Sequence, residues 1–130
     1  MTDTTHPVVW FEVLGKDGAK MQRYYGELFG WKINADNPMQ YGEVDTGSKM
    51  GIPGGVASSR PGLHAWATFY VRAQDIEGTL GRAQQLGGKV VSPPRKIPGG
   101  PTIALFEDPE GNVIGLVRDD NAPAATAAAV

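Results

Sequence analysis

Between Val8 and Arg118 short apolar runs alternate with stretches rich in glycine and proline, and the order of the runs repeats. The segments "VVWFEVLGKDGAKMQRYYGELFGWKI" (8–33) and "WATFYVRAQDIEGTLGRAQQLGGKVV" (66–91) superpose at an offset of 58 positions, which brings Asp17 onto Asp75, Leu28 onto Leu86 and Gly30 onto Gly88. Each opens with an aromatic and β-branched run suited to a strand, followed by an aspartate placed to cap the exposed N–H groups of a helix. Met21, Tyr24, Tyr25 and Leu28 share one face of the first predicted helix, and Ile76, Leu80, Ala83 and Leu86 share one face of the second. Each helix stops at a glycine suited to a left-handed C-terminal turn.

Strand material follows each helix: "GWKIN", "MQYGEVDTG" and "GIPGGVAS" in the first segment, then "KVVSPP", "PTIALFED" and "NVIGLV" in the second. The order predicts an α+β fold of two tandem βαβββ units, at about 8–58 and 64–118. Such units can form a cupped mixed sheet around a cleft, with the helices on the outside. "GIPGG" and "PPRKIPGGP" are expected at bends or edges, because proline cannot donate to a central ladder. Residues 1–7 read as a loose N-terminus and 119–130, low in complexity, as a disordered tail.

Composition narrows the function. A chain of 130 residues with 41% hydrophobic content suits one domain. Its net charge of −2 gives no single-sign field for nucleic acid or an anionic bilayer, so neither is an expected partner. There is no cysteine, which removes thiolate chemistry and Cys-ligated metals. The N-terminus carries no signal-like apolar run, and the expectation is a cytoplasmic protein.

The segments "YYGELFGWKI", "AQQLGGKVVSPP" and above all "FEDPEGNVIGLV" resemble the vicinal oxygen chelate superfamily, which includes glyoxalase I, extradiol dioxygenases, fosfomycin-resistance enzymes and bleomycin-binding proteins. The resemblance covers about residues 8–118. Metal-using members place ligands on the first and last strands of each unit. Carried over, these positions fall on Trp10, on Gly54 or Gly55, on Thr68 and on Gly115, and none carries imidazole or carboxylate. The resemblance therefore implies a small-molecule-binding protein without the usual metal ligands, with no cofactor and no metal expected. The alternative is a lyase, dioxygenase or isomerase of the same superfamily with a relocated or absent metal. Proteins of this architecture are often homodimers, which makes a second copy an expected partner beside a small organic ligand.

Strand alternation puts Glu12 on the same face as Trp10 and Tyr70 on the same face as Thr68. The expected ligand site is Trp10, Glu12, Gly55, Thr68, Tyr70 and Gly115, with space left over the glycines. A carboxylate beside an indole in a partly dry pocket can act as a base or hold a cationic ligand, so Glu12 is the candidate base. The competing readings are a rim ion pair for Glu12 and a core aromatic for Tyr70. Of the two histidines, His6 reads as a solvated terminal residue and His64 as a loop histidine bound to water or backbone. Trp66 reads as a cleft lid or half-buried core, and Arg95 and Lys96 as a solvated basic loop.

Overall fold

The computed structural model describes residues 5–61 and 63–119; residues 1–4 and the tail from Asp120 lie outside the described residues. The elements run β1 (Val8–Gly15), α1 (Gly18–Phe29), β2 (Lys32–Asn34), β3 (Gly42–Asp45), β4 (Gly54–Ser58), β5 (Trp66–Arg72), α2 (Ile76–Gln85), β6 (Lys89–Lys96), β7 (Thr102–Glu107) and β8 (Val113–Arg118). This is the βαβββ order twice, in an α+β chain. The described residues form two compact units, one of Trp10–Thr68 and one that joins residues 5–9 to 69–119.

The pairing repeats as the order does. In the unit of 10–68, β1 runs parallel to β4, β4 antiparallel to β3, and β3 antiparallel to β2. In the other unit, β5 runs parallel to β8, β8 antiparallel to β7, and β7 antiparallel to β6. β6, which carries Pro93 and Pro94, pairs in its unit with β7 alone and slips register between Val90 and Ser92 and again between Ser92 and Arg95. Proline sits at an edge because the missing N–H costs nothing there.

Both helices begin on the expected caps: Asp17 accepts from Lys20 N at 3.1 Å and Asp75 from Gly78 N at 2.9 Å. Gly30 ends α1 in the left-handed region (φ 71°). After α2 the left-handed residue is Gly87 (φ 103°), one position before the expected Gly88, whose N–H reaches back to Ala83 O at 2.8 Å. The expected apolar face of α1 is only half right. Tyr24 and Leu28 are exposed, at 58% and 56%, while the helix approaches its sheet through Gly18, Met21 and Gln22. Gly18 N donates to Ser58 Oγ at 2.8 Å, and a Cβ there would meet Ser58 N at 2.5 Å. Gln22 Nε2 bonds Val56 O at 2.8 Å, so a polar side chain outside the expected apolar face anchors the helix.

The α2 unit has the simpler core: Ala73, Ile76, Leu80, Ala104 and Leu116 are buried together, with Val71, Val90 and Phe106 packed against them. In the other unit Trp10, Tyr41, Val44, Val56 and Ala57 are buried. No helix among the described residues is long and apolar enough to cross a membrane.

Candidate functional site

Glu12 lies in the middle of β1, opposite Gly55 of β4 in the register, and is only 3% exposed. A carboxyl group taken from water to this depth needs hydrogen-bond donors to offset lost hydration. Tyr41 supplies one, its hydroxyl donating to Glu12 Oε2 at 2.9 Å. Trp10 Nε1 in turn donates to Tyr41 Oη at 2.8 Å, the two rings stacking at 6.5 Å between centroids. An indole N–H can only donate, so this bond fixes the polarity of the chain. Tyr41 accepts from Trp10 and delivers its proton toward Glu12. Glu12 Oε2 is therefore an acceptor in this chain.

The segment before β3 aims Tyr41. Strand structure begins at Gly42, not at Met39 as the sequence suggested, and residues 37–41 form a turn. The Asn37 side chain brackets the Tyr41 backbone, Nδ2 donating to Tyr41 O and Oδ1 accepting from Tyr41 N, both at 2.8 Å. Gln40 takes φ 53°, the single positive φ among non-glycine described residues. Such a backbone persists where its surroundings hold it, and here Gln22 Nε2 bonds Gln40 O at 3.1 Å. Tyr41 is the site residue that sequence reasoning missed. The signal was the Asn37-Pro38 turn, which ends the apolar alternation and makes the following aromatic a placed side chain rather than a strand residue.

The space expected over the glycines is filled by the chain's own rings. A Cβ on Gly55 would lie 2.0 Å from Tyr41 Oη, one on Gly54 would lie 2.3 Å from the Phe11 ring, and one on Gly115 would lie 2.4 Å from the Tyr70 ring. Tyr70 faces Gly115 across the β5–β8 pair and is 2% exposed. Gly115 thus makes room for Tyr70, as Gly55 does for Tyr41. This corrects the open space assigned to them. The same contacts bear on the metal that the superfamily implies: a carboxylate side chain at Gly55 or Gly115 would run into an aromatic ring, and Trp10 and Thr68 add one hydroxyl between them. The inherited positions do not fit a first-row metal.

The remaining candidates separate. Thr68 is half-buried on β5. Trp66 holds its indole Nε1 buried with no partner, and its ring meets the exposed His64 edge-on at 6.5 Å. His64 Nδ1 lies 3.3 Å from Ala65 O, which makes it a backbone-bound loop histidine. His6 is exposed, and the adjoining Pro7 is fastened by Arg72 N to its carbonyl at 2.9 Å. Arg95 and Lys96 belong to β6 rather than to a loop, and the Lys96 ammonium bonds the Gly100 carbonyl. Among the described residues no three of His, Asp and Glu gather in a metal-holding group.

Residues 8–116 match the model of the Glyoxalase/Bleomycin resistance protein/Dioxygenase superfamily. Among curated proteins the chain is 26% identical over 125 residues to the anthracycline biosynthesis protein DnrV of Streptomyces peucetius, covering 84% of this chain and 46% of that protein. The same figures hold for DauV of Streptomyces sp. strain C5. The chain thus spans about half the length of these relatives. Among solved structures, methylmalonyl-CoA epimerase from Mycobacterium tuberculosis is similar with a TM-score of 0.63 at 14% identity, over 95% of this chain and 93% of that chain. A superfamily member from Vibrio splendidus 12B01 gives 0.60 at 15%, over 88% and 100%. Likeness at these identities is likeness of fold.

Proposed function

The chain belongs to the Glyoxalase/Bleomycin resistance protein/Dioxygenase superfamily, and from that premise we propose that it binds a small organic molecule through Glu12, without the superfamily's inherited metal ligands. The observation that carries this reading is the buried Trp10–Tyr41–Glu12 chain, whose fixed polarity keeps a carboxylate oxygen as an acceptor inside the unit. A carboxyl group at this depth accepts from N–H and O–H donors, and the ligand group that suits it is cationic or N–H-bearing. Trp10, which reaches Glu12 through Tyr41, and Gly55, opposite Glu12 in the register, are the neighbouring residues in this reading. The relatives concerned with anthracycline biosynthesis make polycyclic aromatic ketones the first compounds to screen.

The same burial favours a second reading, an isomerase in which Glu12 removes a proton next to a carbonyl. Tyr41 would then hold the carboxylate in place between turnovers. We further infer that the working form is a homodimer, supported by the exposed Tyr24, Leu28 and Phe29 of α1.

Calorimetric titration with a pair of anthraquinones, one bearing a primary amine and one without, tests the binding reading. Glu12→Gln is expected to weaken the amine-bearing compound about tenfold and leave the other unchanged, as loss of one charge-assisted bond predicts. Equal affinity of both compounds for the wild type and for Glu12→Gln would sink it.

A further inference from the structure

The two units carry different side chains beside their helices. In the unit of 10–68 a cluster of rings lies on the α1 side: Trp31 stands 5.7 Å from Phe11, 5.9 Å from Tyr25 and 5.0 Å from Phe29 between centroids. The repeat offset carries Tyr25, Phe29 and Trp31 onto Ala83, Gly87 and Lys89. Three aromatic side chains are therefore missing from the equivalent place beside α2. What remains is a groove of about 590 Å³ walled by Val71, Ala83, Leu86, Phe106, Pro109 and Leu116. That volume falls within the range of organic-ligand sites. Leu86, at its lip, is 62% exposed.

Charge on the lining selects among apolar ligands. Asp75 and Asp108 both border the groove, and each keeps its charge while its oxygens are taken up by N–H groups of the chain. Asp75 caps α2 through Gly78 N, while Asp108 accepts from Glu110 N, Asn112 N and Asn112 Nδ2. Among the described residues no acid stands against Arg82, whose Nη1 bonds the neutral Gln85 Oε1 at 3.2 Å. A guanidinium carries five donors in a planar fork that matches a carboxylate. At the exposed end Arg82 thus has donors left for one anionic group, and the walls are apolar enough to hold rings.

We propose that this groove, on the α2 side of its sheet and separate from Glu12, binds a planar aromatic carboxylate, its rings against Ala83, Phe106 and Leu116 and its carboxylate on Arg82. The proposal does not depend on the function assigned to Glu12.

Titration of the full chain with 2-naphthoate, followed by side-chain NMR shifts, tests it. A saturable shift of Phe106 and Leu116 signals is expected, with a dissociation constant on the order of 0.1–1 mM for a ligand of this size. Arg82→Gln, at an exposed position, should weaken 2-naphthoate about tenfold while leaving the neutral 2-naphthalenemethanol unchanged. Ala83→Tyr, which restores the sister unit's ring, should abolish binding of both. Glu12→Gln should alter neither, which keeps a failure here distinct from a failure at Glu12. Shifts confined to Trp10 and Tyr41, an Arg82→Gln affinity equal to wild type, or intramolecular NOEs filling the groove in the ligand-free protein would each overturn the proposal.

Discussion

Gly115 and Gly55 show how one missing side chain is specified by another that is present. Each lies opposite a large side chain of the neighbouring parallel strand, Tyr70 or Glu12, and each is covered by a tyrosine ring. Tyr70 has no room to retreat at 2% exposure, so Gly115→Ala is expected to destabilise the protein by about 1–3 kcal/mol through overpacking. Urea denaturation checks the size, and the mechanism is checked by a double-mutant cycle. In a Tyr70→Ala background the cost of Gly115→Ala should largely vanish, because the contact that causes it has gone. A full, additive cost would place the requirement in the backbone instead.

At the scale of elements, the β7–β8 hairpin turns on Asp108. Its carboxylate is held below its ordinary value of 3.8, first by the side-chain bond from Asn112 and then by the Asn112 backbone N–H, against an opposing effect of desolvation, with lesser help from the N–H groups of Glu110 and Gly111. For an acid whose folded value is depressed, the stabilisation is fully present above the ordinary value and is lost as pH falls through the depressed one. The hairpin should therefore loosen below about pH 3.8. The Glu110 and Asn112 amide shifts should titrate with it, and Asp108→Asn should flatten that part of the Tm-against-pH curve. An unchanged acid limb in Asp108→Asn would remove Asp108 from the account. This turn was legible in "FEDPEGNVIG", as were the caps at Asp17 and Asp75, because turn and cap chemistry acts over a few residues. The inward face of α1 was not legible, since Gln22 anchors on carbonyls of Val56 and Gln40 that lie far along the chain.

For the whole molecule, the testable consequence is assembly. Tyr24, Leu28 and Phe29 expose apolar surface on one short helix, at 58%, 56% and 56%. If a second copy covers them, sedimentation equilibrium should return twice the 13.8 kDa chain mass, and Tyr24→Ser with Leu28→Ser should shift the protein toward monomer without lowering its helix content. A wild type that sediments as a strict monomer at high micromolar concentration would end the homodimer reading.

The sequence by itself determined the order of the elements, their duplication, the two aspartate caps, the proline-bearing edge and the superfamily. Each of these is carried by local periodicity, by turn chemistry or by the order of segments, which survive in one dimension. Tertiary structure alone decided that Tyr41, 31 positions from Trp10 and 29 from Glu12, joins them in one hydrogen-bonded chain. It also decided that the glycines are filled rather than open, and that the loss of three rings beside α2 leaves a groove. Contacts of that kind depend on which side chains meet across strands and between helix and sheet. No propensity or repeat along the chain encodes that meeting, because it is settled by packing in three dimensions.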